Sequence, residues 1–258
     1  MTTTKNGTEK QGLVGKRALV TGGSRGIGAA VVRQLLDAGA EVLTTARSAA
    51  SGAPEGAEFV AADVRTRAGA EAVAEAVRER FGGVDILVHN AGGATPYKSA
   101  ADIPGEEWQD ALELNFLSSV RLDTLLAPGM RERGTGRIVH ISSAAVLTPM
   151  GPFLHYSAAK AALENYSRGL AAELAPSGVR VNVVSPGRVA TPGGEATREE
   201  WARVTTAAPG PAPDSTTPLG RYGRPDDIAD AVLFLVSDRA DWLTGSNLHV
   251  DGGEFPRG

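Results

Sequence analysis

The feature that most constrains this chain is the run Val20-Thr21-Gly22-Gly23-Ser24-Arg25-Gly26-Ile27-Gly28. An apolar β-run enters a glycine-rich turn, and the turn opens an amphipathic helix with Ile27, Val31, Val32, Leu35 and Leu36 at helical spacing. Backbone N–H groups at a helix start lack intrahelical acceptors and carry the positive end of the helix dipole, so such a turn can receive a pyrophosphate. Glycine lets the chain turn tightly and lets phosphate oxygens reach the backbone. The letters Gly22-Gly23-Ser24-Arg25-Gly26 also spell G-x-S-x-G, the serine-hydrolase elbow, in the same strand–turn–helix setting. Phosphate cradle, elbow and plain turn all remain open at this point.

Downstream, strands and helices alternate. Strands are expected at 17–20, 41–45, 58–61, 84–89, 137–141, 179–184 and 247–250, and helices at 26–38, 66–81, 106–133, 153–175 and 226–236. Most of the strands are near-continuous apolar runs, the pattern of a parallel sheet covered by helices on both faces. Gly39 stands where a helix C-terminal turn is expected. Residues 188–219 are irregular, broken by Pro209, Pro211, Pro213 and Pro218, with a short helix expected at 195–207. A loop this long in a compact domain suggests a lid over substrate.

The chain has 258 residues, enough for one large α/β domain. A net charge of −4 argues against nucleic acid or an anionic membrane as partner. There is no apolar run of about 18 residues, and residues 1–12 read as a disordered polar tail without a leader's apolar core. With no cysteine, disulfides, thiolate metal sites and a cysteine nucleophile are excluded, and a cytoplasmic location is expected.

The elbow reading fails on order. That fold places its nucleophile turn inside the sheet, after an oxyanion-hole strand, and here the turn follows the first strand. Three of the four histidines, His89, His140 and His249, fall within or at the ends of expected strands, whereas His155 precedes Tyr156. In a doubly wound sheet, ligands bind at the carboxyl ends of strands. Asp63, Asn90, Ser142 and Ser143 lie at such ends, and each also suits a turn or cap. Tyr156 and Lys160 stand at i and i+4 on one helix face. A phenol titrates at about 10, and a neighbouring ammonium lowers that value, so the pair suits general acid–base work.

The chain resembles the short-chain dehydrogenase/reductase family over residues 13–253. The matching motifs run in order: Thr21-Gly22-x-x-x-Gly26-x-Gly28, Asp63-Val64, Asn90-Ala91-Gly92, Asn115, Ser143, Tyr156-x-x-x-Lys160 and Pro186-Gly187-x-x-x-Thr191. Ser143 stands 13 positions before Tyr156, the family's spacing, which selects it over Ser142. The resemblance implies a Rossmann fold: a seven-stranded, doubly wound parallel sheet in a single domain over 13–258, with 188–219 as the lid. It implies that Tyr156 transfers the proton, Ser143 positions the substrate oxygen, and Lys160 holds the nicotinamide ribose and depresses the Tyr156 pKa. Asn115 would support a proton-relay water. Gly22, Ser24, Arg25, Gly26, Ile27, Gly28, Arg47, Asp63, Val64, Asn90, Ala91, Gly92, Pro186, Gly187, Val189 and Thr191 would line the cofactor, with Tyr156 and Lys160 at its nicotinamide end. His89 and His140 replace residues that are usually Asn in the family, and both read as packing or backbone support. His155 either faces substrate or is exposed, the second being favoured.

NAD-preferring relatives carry an Asp at the end of the second strand. Here Ala46 and Arg47 stand there, and Arg25 sits in the glycine turn, so NADP(H) is the expected cofactor. The expected substrate is a small-molecule ketone or secondary alcohol, of 3-oxoacyl or polyketide type, against an apolar wall of Val146, Leu147, Met150, Phe153 and Leu154. No metal is expected. Resemblance further implies a homo-oligomer, a tetramer or a dimer. The alternative class, a non-enzymatic NADP(H)-binding protein on the same fold, is disfavoured by the intact Asn115, Ser143, Tyr156 and Lys160 set.

Overall fold

The computed structural model describes residues 12–205 and 217–255. Seven parallel strands form one sheet: β1 (Arg17–Thr21), β2 (Glu41–Ala46), β3 (Glu58–Ala61), β4 (Ile86–His89), β5 (Gly136–Ile141), β6 (Val179–Pro186) and β7 (Asn247–Val250). Their order is β3-β2-β1-β4-β5-β6-β7. The chain winds outward from β1 in one direction, then returns to β4 and winds in the other, so a crevice opens between the carboxyl ends of β1 and β4.

Strand alternation divides the core. Ala18, Val20, Ile86, Val88, Val139 and Ile141 face α1 (Gly26–Asp37) and α7 (Pro225–Val236), packing on Val31, Val32, Leu35, Ile228 and Val232. Leu19, Leu43, Leu87, Ile138 and Val181 face the other way, onto α2 (Arg67–Phe81), α4 (Ser118–Arg133) and α5 (Leu154–Leu174). Burial on both faces is why these strands read as unbroken apolar runs. Thr66 caps α2 by accepting from the Gly69 N–H at 3.0 Å, and Gly39 at φ +93° turns the chain from α1 towards β2.

The stretch expected as one helix over 106–133 is not continuous. It comprises α3 (Gly105–Leu112), a π-helical turn over Glu113–Leu117, and α4. The extra residue in that turn carries Asn115, and insertion of one residue is what reorients a side chain within a helix. The short helix expected at 195–207 is α6 (Pro192–Thr205). Pro209, Pro211 and Pro213 of the expected lid, and most of the expected tail, lie outside the described residues. Among the described residues no helix is long and apolar enough to cross a membrane.

Candidate active site

The crevice is built by the segments that leave β1, β4, β5 and β6. After β1 the glycines do steric work. Gly22 (φ +68°) and Gly26 (φ +55°) adopt backbone that other residues resist. A Cβ on Gly28 would lie 2.2 Å from the Gly22 carbonyl oxygen and 2.5 Å from Asn90 Nδ2, and one on Gly23 would lie 2.1 Å from Thr44 Oγ1. The helix start is thus pressed against the strand ends with its N–H groups open. Arg25 precedes α1 without a side-chain cap, so no side chain from that position covers them. Ser24 is half-buried in this turn and Ile27 packs on the core beneath it.

Asn90, after β4, staples this turn: its Nδ2 donates to the carbonyl oxygens of Thr21 and Gly22, both at 3.0 Å. Thr21 Oγ1 accepts from the N–H groups of Asn90 and Ala91 at 3.1 and 3.0 Å. Thr191, after β6, closes the other side. It lies against Gly26, where a Cβ would meet its side chain at 3.4 Å, while its hydroxyl accepts from the Gly194 N–H and starts α6. Gly187 abuts Asp251 so closely that a Cβ would fall 2.7 Å from the aspartate Cβ, and Val189 pairs with Gly223. Val64 is buried under Asp63. The Asp63 carboxylate is gripped by Arg65, whose hydrogen bonds hold it below the ordinary carboxylate range. Its side chain nevertheless stays about a third exposed.

The side chains expected to react meet at the end of β5. The Tyr156 phenol and the Ser143 hydroxyl share a hydrogen bond, and Ser143 Oγ accepts from the Ala145 N–H at 3.1 Å. Lys160, buried, donates from Nζ to the Ile141 carbonyl oxygen at 2.7 Å, and its ammonium lies 5.9 Å from the Tyr156 ring centre. Asn115 embraces the β4 loop: Nδ2 donates to Gly93 O at 3.0 Å and Oδ1 accepts from Gly93 N at 3.1 Å. Gly92 sits between the two, for a Cβ there would stand 2.9 Å from Asn115 Oδ1 and 3.2 Å from Lys160 Nζ. Four residues spread over 115–160 therefore converge on one point beside the glycine turn.

Comparisons with known proteins place this arrangement. Residues 22–254 match the family model described as enoyl-(acyl carrier protein) reductase. The 3-oxoacyl-[acyl-carrier-protein] reductase FabG of Vibrio cholerae is 39% identical over 250 residues, covering 94% of this chain and 98% of that protein. The chain belongs to the short-chain dehydrogenase/reductase family. Among solved structures, L-sorbose reductase from Gluconobacter frateurii, complexed with NADPH and L-sorbose, superposes with a TM-score of 0.87 at 34% identity, covering 96% of this chain and 99% of that one. A single-site variant of actinorhodin polyketide ketoreductase, with NADPH, gives 0.86 at 34% identity, covering 94% and 98%.

Three details of this member depart from expectation. Burial pushes the Tyr156 phenol above its ordinary value, and the opposing effect comes from Ser143 rather than from Lys160. Burial in turn pulls the Lys160 ammonium down to about 8, against the attraction of Glu164. His155 is not exposed. It is buried edge-on between Tyr97 and Trp108, with ring centroids 5.7 and 6.2 Å away, and is held by the Thr95 backbone. Desolvation keeps its imidazole neutral at lower pH than usual.

His89 and His140 do more than pack. Their Nε2 atoms lie 2.8 and 3.1 Å from opposite oxygens of the buried Asp123, and Tyr166 also bonds that carboxylate. Burial alone would raise the Asp123 pKa, but the two imidazoles override it and hold the carboxyl well below its usual range. An ionised carboxylate only accepts, so both Nε2 atoms carry hydrogen and the neutral His140 Nδ1 accepts from Ser167 Oγ at 3.1 Å. These three residues have the ligand types of a metal centre. Their nitrogen–oxygen separations are instead those of hydrogen bonds, and a shared metal at about 2.0–2.2 Å from each donor would require those N–H groups to be lost.

Helix α6 lies across the crevice. Thr197 Oγ1 donates to Ala94 O at 3.2 Å, and Trp201 meets Phe153 edge-to-face at 5.6 Å. Leu147 and Met150, between β5 and α5, remain substantially exposed.

Proposed function

We propose that this protein is an NADP(H)-dependent ketoreductase whose proton donor is the Tyr156 hydroxyl. The observation that carries the reading is the convergence of Asn115, Ser143, Tyr156 and Lys160 beside an open helix N-terminus. Gly22, Gly26 and Gly28 leave room for a pyrophosphate over the N–H groups that start α1, and the space Gly92 keeps clear lies between Asn115 and Lys160. The residues present therefore fit a dinucleotide, with Ser24, Ile27, Ala91, Pro186, Gly187, Val189 and Thr191 along its length and Asp63-Val64 at its adenine end.

The bound dinucleotide supplies the hydride. Ser143 and Tyr156 hydrogen-bond the substrate carbonyl oxygen, and Tyr156 delivers a proton to it as the alcohol forms. Lys160 spends one N–H on Ile141 and keeps two for the ribose hydroxyls. Asn115 fixes the β4 loop beside Lys160, where it would support a relay water.

NADP(H) over NAD(H) rests on Ala46, which offers no carboxylate, and on the exposed Arg25 and Arg47, which form no ion pair among the described residues. The apolar side chains Leu147, Met150 and Phe153, and the carrier-linked substrate of the Vibrio relative, favour a 3-oxoacyl or polyketide-type ketone. A sugar ketone, as in the Gluconobacter structure, is the competing class. We place the protein in the cytoplasm as a homo-oligomer, in line with the family.

The test is NADPH consumption with a 3-oxoacyl thioester, an aromatic polyketone and a keto-sugar. Tyr156→Phe is expected to reduce kcat by about 10²–10⁴-fold while still binding NADPH. Full activity in that variant, or no turnover of any ketone by the parent, overturns the reading.

A further inference from the structure

One buried carboxylate near the crevice has no part in the scheme above. Glu164 lies on α5, one turn beyond Lys160 and two beyond Tyr156, so all three share a face of that helix. It is only 9% exposed. Its Oε1 accepts from Ser142 Oγ at 2.7 Å and from Ser185 Oγ at 3.1 Å. Ser142 is the immediate neighbour of Ser143 at the end of β5, and Ser185 immediately precedes Pro186-Gly187 at the end of β6. A single oxygen thus joins the two strand ends that carry the substrate-positioning serine and the nicotinamide wall.

We propose that Glu164 is a positioning residue of this active site, fastening the ends of β5 and β6 and setting a carboxylate one helical turn from the Lys160 ammonium. The proposal rests on the ketoreductase reading, because it assigns Glu164 a role through Lys160 and Ser143. A buried carboxylate costs several kcal/mol of desolvation unless it is matched by donors and a nearby cation. Two serine hydroxyls supply the donors here, and Lys160 stands one turn back on the same helix face. Lys160 is buried too, and Glu164 is the group that favours its proton.

The other titratable groups near this cluster are His140, Asp123, Tyr156 and His249. His140 on β5 is neutral, and a proton on it would repel Lys160. Asp123 on α4 is already matched by His89, His140 and Tyr166. Tyr156 on α5 is neutral at working pH. On β7, His249 stands in register with Ser185.

The test exploits the lysine count. The chain has five lysines (Lys5, Lys10, Lys16, Lys98 and Lys160), so side-chain-labelled lysine resolves the Lys160 titration by NMR in protein without cofactor, assigned by its loss in Lys160→Arg. Glu164→Gln keeps an acceptor for both serines and removes only the charge. Its Lys160 midpoint is expected to move down by about one pH unit, the usual effect of losing a close opposite charge. From a midpoint of about 8, NADPH affinity and kcat/KM should then fall about fivefold at pH 8 and return to parental values near pH 6. A purely structural role predicts an equal loss at every pH and an unmoved Lys160 titration, and that result overturns the proposal. If Glu164→Gln does not fold, Glu164→Asp serves. It keeps the charge but draws it back from both serines and from Lys160, so the Lys160 midpoint should still move down and kcat should fall several-fold, more at pH 8 than at pH 6. Parental kcat in that variant also overturns the proposal. Tyr156→Phe distinguishes the two claims: if it retains full activity, the ketoreductase mechanism fails, whatever Glu164 does.

Discussion

His89 lies nearly flat against His140, with ring centroids 4.8 Å apart and planes 11° from parallel, and each imidazole holds one oxygen of Asp123. The two histidines are register partners on β4 and β5. The next residues along those strands are Asn90, which staples the glycine turn, and Ile141, which accepts from Lys160. Two strand ends of the active site are therefore anchored to one buried anion on α4.

This anchor makes stability sensitive to acid. Burial keeps His140 neutral in the folded state, whereas the unfolded chain protonates it at about 6.5. Its contribution is complete above that pH and falls as pH drops below it, by up to about 1.4 kcal/mol per pH unit. The Asp123 carboxyl, held low, adds stability above its unfolded value of about 3.9 that is lost as pH falls through its folded value. Urea midpoints at pH 7.5 and 5.5 should differ markedly in the parent and less in His140→Asn. Parallel losses in the two proteins would exclude the histidine as the cause.

Removing the anion itself should be worse. Asp123→Leu leaves two buried imidazole N–H groups without their acceptor. Each orphaned donor costs about 1–3 kcal/mol, so a total loss of at least about 2 kcal/mol is expected by denaturant unfolding. A change below about 1 kcal/mol, near that of an ordinary surface substitution, would contradict this account.

Gly92→Ala tests the gap between Asn115 and Lys160. The new methyl would stand 2.9 Å from Asn115 Oδ1 and 3.2 Å from Lys160 Nζ, closer than packing allows, so one of them must move. Misplacement of such a group costs on the order of 10²-fold in rate. We expect kcat to fall by about that much while the thermal midpoint changes little.

Arg47→Asp tests the 2′-phosphate assignment. The substitution replaces a bidentate cation by an anion at the end of β2. NADPH Kd should rise by well over tenfold and NADH Kd should stay the same or improve, as read by cofactor fluorescence. An unchanged NADPH Kd would exclude Arg47 from the phosphate site.

Trp201→Ala tests the lid. The indole bridges α6 to Phe153 on the far side of the crevice. Its loss should raise KM for the ketone several-fold and leave NADPH Kd unaffected, because the cofactor's glycine turn lies at the other end of the site.

Much of this protein was legible from residues alone, because the relevant physics is local. Apolar runs bounded by turn residues located the seven strands, and 3.6-residue periodicity recorded the buried face of the helices. The glycines at 22, 26 and 28 are written into the chain because Gly22 and Gly26 take positive φ and only a hydrogen fits at Gly28. Tyr156 and Lys160 share a helix face by spacing alone. The π-helical turn at Glu113–Leu117 was hidden, since one inserted residue barely disturbs helical periodicity.

What only the tertiary structure decided is who meets whom. Asp123 finds His89 across 34 positions and His140 across 17, and Glu164 finds Ser142 across 22. Spacing along the chain named none of these partners, and His155, adjacent to Tyr156, gave no sign that Tyr97 and Trp108 would enclose it. A buried polar group must be matched wherever the fold brings a donor or a charge within about 3 Å. That distance is set by how strands and helices stack, which is why the residues that support the site emerged only when the sheet was assembled.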